Sequence, residues 1–153
     1  MKQINQERRL ISLGLVLLPT LSFAATEKPV ITMWKSPTCG CCKDWADHVE
    51  KNGFAVKTNT DGNDEIRKKL GMPIQFGSCH TALIGGYAIE GHVPAKEIKR
   101  LLAEKPKAIG LAVPAMPIGS PGMDGAEYKG RKDPYDVLLI GLNGAPSVYQ
   151  SYK

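Results

Sequence analysis

Ser36-Pro37-Thr38-Cys39-Gly40-Cys41-Cys42, followed directly by Lys43-Asp44-Trp45, gathers three of the chain's four cysteines at one point. The residues before it, Val30-Ile31-Thr32-Met33-Trp34, form a short uncharged run of β-branched and aromatic side chains, which predicts a buried strand. The residues after it set Cys42, Trp45, Ala46 and Val49 on one helix face at i, i+3, i+4 and i+7, and Asn52-Gly53 supplies a left-handed stop. The thiols therefore sit where a strand hands over to a helix. Unpaired N–H groups and the positive end of the helix dipole favour thiolate there, the form that ligates metal or attacks a disulfide.

Downstream, Phe54–Thr58 reads as a second strand. Asp61-Gly62-Asn63 offers a turn and cap, and 64–70 reads as a short helix closed by Gly71. After a loop over 72–77, Ser78–Ile84 reads as a third strand, with Gly85-Gly86 turning it into Tyr87–Glu90. Pro94 opens a further helix whose Ile98, Leu101 and Leu102 face the core, and Pro106 stops it. Strand, helix, strand, helix, hairpin, helix is the order of an α/β, thioredoxin-like sheet with flanking helices. Gly110–Gly125 is a Pro/Gly/Met-rich loop, long for a plain connector. Pro134–Gly141 reads as a further strand, with the tail 147–152 beside it.

Residues 1–24 read as an export signal: Lys2, Arg8 and Arg9 open it, Leu10–Leu18 is too short an apolar run to span a bilayer comfortably, and the segment ends in small residues at Ala24. Residues 25–153 are then one domain, large enough for a real core and without stable membrane insertion once the signal is removed. The chain carries 20 Lys and Arg against 15 Asp and Glu, interspersed, with no basic stripe interleaved with aromatics; nucleic acid is not an indicated partner.

Export permits disulfides, and four cysteines can pair in three ways. Cys41 and Cys42 are adjacent and would close a strained ring, whereas Cys39 and Cys42 have the C-x-x-C spacing of redox sites. Three cysteines in one turn staple little, so the crowding indicates a site. Where thioredoxin-like redox enzymes usually hold a cis-proline, before the third strand, this chain has Cys79, and its nearest proline is Pro73. Folding would then bring Cys79 to Cys39, Cys41 and Cys42 in a sulfur-rich pocket suited to soft metals, Cu(I) first and zinc as the borderline competitor. Met116 and Met123 of the long loop are soft donors that could cap such a site, or gap-fillers that hold the loop down.

Of the histidines, His92 lies in a loop free to approach from the sheet's end. His80 follows Cys79 and faces away from it unless the strand is bulged or has not yet begun. Both are candidate secondary ligands. His48 lies about 10 Å along the helix from Cys41, too far to share an ion, and reads as a surface residue. Trp34 and Trp45 read as packing anchors, Asp44 and Glu90 as solvated.

Together, Trp34–Cys42 with Trp45, Ser78-Cys79-His80-Thr81-Ala82, Glu90-Gly91-His92-Val93-Pro94-Ala95 and Met116-Pro117 through Ser120-Pro121-Gly122-Met123 resemble the CopG-type family of exported bacterial proteins associated with copper resistance. The resemblance extends over nearly all of residues 25–153. It implies a thioredoxin-like fold, a periplasmic location, and copper held by Cys39, Cys41, Cys42 and neighbouring residues, with other periplasmic copper-handling proteins as partners. Pro114-Ala115 departs from the proline–glycine usual there, a change that removes no donor atom. Two functions of different class follow: a copper-binding resistance protein, holding a multinuclear thiolate cluster or cycling Cu(I) and Cu(II), and a thiol–disulfide oxidoreductase in which Cys39 attacks and Cys42 resolves. Whether Cys39 and Cys42 are joined without metal is open at this level.

Overall fold

A computed structural model describes residues 27–153; the expected export signal, residues 1–24, lies outside them. The chain runs β1 (Val30–Lys35), α1 (Gly40–Lys51), β2 (Ala55–Asn59), α2 (Asp64–Lys69), β3 (His80–Ile84), β4 (Tyr87–Glu90), α3 (Ala95–Glu104), β5 (Ala108–Ala112), β6 (Tyr135–Gly141) and β7 (Pro146–Tyr152), with short 3₁₀ turns at Ile74–Phe76 and Ala126–Tyr128. The strands form one mixed sheet of seven in the order β2-β1-β3-β4-β5-β6-β7. β1 runs parallel to β2 and β4 to β5, while β1–β3, β3–β4, β5–β6 and β6–β7 are antiparallel.

Alternation along the strands divides the core between two faces. Ile89, Leu111 and Val137 join Trp45 and Val49 of α1 and Ile98 and Leu101 of α3 in the larger cluster. Their neighbours Ala88 and Ala112 turn the other way and join Ile140, Met72 and Phe76 in the smaller one. Helix α1 buries Cys42, Trp45, Ala46 and Val49, the face its spacing specifies. The strand β1 is less buried than its composition suggests: Ile31, Met33 and Lys35 point inward, but Trp34 is only half-buried.

Strand β5 occupies the start of what the sequence reads as loop. Gly110 conceals it, because glycine weakens strand propensity. A β-carbon there would overlap the Ala88 carbonyl, so glycine is what lets β5 lie against β4. Strand β7 is tied back to α3, with Tyr152 Oη donating to Glu97 Oε1 (2.8 Å) and the Arg100 guanidinium to the Tyr149 carbonyl (2.7 Å). These elements bring the ends of β1, β3 and β4 to the N-terminus of α1.

Candidate metal centre

Cys39 is the N-cap of α1 and supplies no side-chain cap; Cys41 and Cys42 lie in the first turn. Cys39 and Cys42 are joined as a disulfide, leaving Cys41 and Cys79 as free thiols. Beneath this turn the largely buried Lys35 donates through Nζ to the carbonyls of Ser36 (3.0 Å) and Cys39 (3.2 Å). An inward lysine at the end of an otherwise apolar strand face was the signal for it.

Cys79 stands immediately before β3, so the strand has not begun and strict alternation does not separate it from His80. The four cysteine sulfurs lie together: Cys39 Sγ is 3.6 Å from Cys41 Sγ, and Cys41 Sγ is 4.0 Å from Cys79 Sγ. On its other side Cys79 Sγ lies 3.0 Å from His92 Nε2 and 3.5 Å from His80 Nδ1. Two donor groups therefore overlap at one atom, Cys39/Cys41/Cys42/Cys79 and Cys79/His80/His92, and within each the ligand atoms are no more than 4.8 Å apart.

Met116 Sδ reaches Cys41 Sγ at 3.8 Å from a half-exposed position on the long loop. Met123 is placed elsewhere: its sulfur accepts a hydrogen bond from Tyr128 Oη at 3.4 Å. An open groove of about 390 Å³, lined by Asp64, Ile74, Ser78, Cys79 and Met116 among others, leads from the surface to this edge of the centre.

The histidines are neutral and oriented. His92 Nδ1 lies 2.7 Å from the Pro121 carbonyl, an acceptor only, so Nδ1 carries the proton and Nε2 turns its lone pair to Cys79. Burial lowers its pKa against the opposing pull of that carbonyl. His80 is fully buried against Trp45, ring centroids 4.4 Å apart, and burial and the neighbouring His92 hold it well below the ordinary value. Its Nε2 is buried without a hydrogen-bond partner among the described residues. Burial, reinforced by nearby Cys41, pushes the Cys79 thiol up to about 12. In the metal-free protein Cys79 is therefore an S–H that donates to His92 Nε2. His48 is half-buried rather than a surface residue, its Nε2 accepting the Ala95 N–H at 3.2 Å. Trp45 is the anchor its spacing indicates, fully buried and donating from Nε1 to the Val93 carbonyl at 2.9 Å.

Glu90 departs furthest from expectation. It is fully buried, not solvated. Its carboxylate accepts from Arg67 Nε (2.9 Å), the Ser78 N–H (2.7 Å) and Thr81 Oγ1 (2.6 Å). Burial raises its pKa, opposed by those three donors. Asp44 is exposed.

An α/β fold whose helix N-terminus, strand edge and loop converge on thiols, a thioether and imidazoles presents a donor set of the class suited to soft metal ions. Two solved structures with the same architecture are titled copper resistance protein CopG. Form 1 is 42% identical with a TM-score of 0.75, covering 82% of this chain and 98% of that one. Form 2 is 41% identical with a TM-score of 0.76, covering 83% and 100%. The chain belongs to the CopG copper-resistance family. Residues 76–123 also match a family model described as "Protein of unknown function, DUF411". No protein in the curated comparison matches.

Proposed function

We propose that the protein binds copper, holding Cu(I) as cargo between the sulfurs of Cys39, Cys41, Cys42 and Cys79, with His92, His80 and Met116 as further donors. The observation that carries this is the placement of Cys79 Sγ, 4.0 Å from Cys41 Sγ and 3.0 Å from His92 Nε2. One sulfur shared by two donor groups suits bridging, and thus more than one ion per chain. Thiolate, thioether and neutral imidazole are the donors Cu(I) prefers, and imidazole with thiolate also accommodates Cu(II). Zinc, with its demand for four fixed tetrahedral ligands, is matched less well.

Loading at full capacity requires the disulfide to open, a step that takes up two electrons and two protons from a thiol reductant. It also requires Cys79 to give up its proton, so binding releases acid. Met123 is added to this set as its weakest donor, since its sulfur accepts a hydrogen bond from Tyr128 Oη. Parallel β1-α1-β2 followed by the β3–β4 hairpin and α3 supports a thioredoxin-like reading of the fold. Residues 1–24 as an export signal, residues 25–153 as one domain, and a periplasmic location remain part of the proposal. No helix among the described residues is long and apolar enough to cross a membrane.

Titration of the fully reduced protein with Cu(I) against a chromophoric chelator tests the reading. Several ions per chain are expected, with capacity reduced in Cys79→Ser; zero capacity, or capacity unchanged in that variant, refutes it. The Cys39–Cys42 disulfide at a helix N-terminus favours a second reading, thiol–disulfide exchange. Insulin reduction measures it, and little or no turnover is expected.

A further inference from the structure

The buried charge pair behind the centre is not itself a ligand, yet its hydrogen bonds end on the residues that flank Cys79. Glu90 Oε1 accepts the Ser78 N–H, and Arg67 Nη2 donates to the Ser78 carbonyl at 2.8 Å. Glu90 Oε2 accepts from Thr81 Oγ1, two residues past the cysteine. Arg67 Nε closes the circuit onto Glu90 Oε1. Both backbone polar groups of Ser78, its N–H and its C=O, are thus held, and the chain is pinned again at Thr81.

Cys79 lies between these two points, before β3 begins, where the sheet ladder does not fix the backbone. Gly91 lets Glu90 and His92 serve opposite sides of the same segment. Its φ of +69° turns the chain, and a β-carbon there would come within 2.6 Å of Ser78 Oγ. Arg67 keeps a second partner, the exposed Asp64, at 2.6 Å.

We propose that Glu90 and Arg67 are positioning residues: by fixing the backbone at Ser78 they hold the Cys79 sulfur at the distance from Cys41 that lets one ion span both. The consequence for metal rests on the copper reading above, but the geometric claim does not, and it can be tested without metal.

The probe is p-aminophenylarsine oxide, whose arsenic forms two As–S bonds with a close pair of thiols and releases one water, with no change of oxidation state. In the protein with its disulfide intact the pair is Cys41 and Cys79, and one adduct is expected, lost in Cys41→Ser. The disrupting variant is Arg67→Met/Glu90→Leu, which removes both charges and leaves neither buried alone. Its arsenical affinity is expected to fall about tenfold or more while circular dichroism and cooperative melting show a folded protein. Glu90→Gln keeps an oxygen acceptor for Ser78 and is expected to bind within about threefold of the parent, whatever its stability. Asp64→Asn, which touches only the outer side of Arg67, is expected to bind as the parent does. If the double variant does not fold, Glu90→Leu, with Arg67 still paired to Asp64, carries the same expectation.

Disrupted variants that bind within about twofold of the parent overturn the proposal. So does Glu90→Gln losing as much as they do, or a parent that takes up no arsenical. A parent that binds arsenical but no Cu(I) instead refutes the copper reading and leaves the positioning role standing.

Discussion

Gly91→Ala separates backbone strain from steric conflict at the hinge between β4 and the His92 loop. Its φ of +69° lies in the left-handed region, and a β-carbon would approach the Val113 carbonyl at 2.5 Å, Ser78 Oγ at 2.6 Å and Ser78 Cβ at 2.7 Å. The left-handed conformation costs alanine about 1–2 kcal/mol, partly offset by the smaller entropy of the unfolded chain. Forced close contact adds about 1–3 kcal/mol, because the obstructing atoms belong to backbone or to a residue held at both its peptide ends. A loss of about 2–4 kcal/mol is expected from these terms. Gly53→Ala is the control: φ is +92° and none of the described residues comes within 4 Å of its β-carbon, so only the strain term of about 1 kcal/mol remains. Urea denaturation of both variants beside the parent, with the disulfide intact, gives the comparison. If Gly91→Ala costs no more than Gly53→Ala, the close packing of the Glu90–His92 turn on Ser78 is refuted.

Ala115 occupies the left-handed region at φ +62° where glycine is unstrained. Ala115→Gly is therefore expected to gain about 1 kcal/mol or less, read as a rise in melting temperature. Trp45→Phe removes the donor to the Val93 carbonyl and leaves space in the larger cluster; a loss of about 1–3 kcal/mol is expected from chemical denaturation. His80 is held neutral in the fold well below its ordinary 6.5. On unfolding it binds a proton below that pH, so the stability its neutrality confers is full above about 6.5 and declines as pH falls through and below it. Glu90, raised by burial, acts with the opposite sign, so the measurement is the difference between parent and His80→Phe. The variant is expected to lose less stability between pH 7 and 5, by up to ~1.4 kcal/mol per pH unit.

Most of the element order was legible in local patterns, and the meeting of four sulfurs followed from that order, which sets Cys79 at the start of the third strand beside the first helix. The helix face of Cys42, Trp45, Ala46 and Val49 is a matter of spacing, and Gly85-Gly86 is a turn by its backbone freedom. Solvation was the quantity that letters conveyed poorly. Glu90 looks like any surface acid in its own segment; its burial depends on Arg67, Ser78 and Thr81 arriving from other elements. Strand β5 failed to register because a glycine in a five-residue run reads as loop unless the neighbouring Ala88 carbonyl is in view. His80 joined the centre through a boundary: alternation counts only once a strand has started, and β3 starts one residue after Cys79. Of the two loop methionines, Met116 reaches a thiol with its sulfur and Met123 turns its own to Tyr128, a choice that composition leaves undecided.

The hydrogen bond from His92 Nδ1 to Pro121 makes the aim of the imidazole and the seating of the long loop a single mechanical variable. Lifting Pro121 away would free the ring to rotate or to exchange its proton between nitrogens, and Cys79 would lose a fixed neighbour. Anything that grips the outside of that loop thereby holds a lever on the interior sulfur without ever touching it.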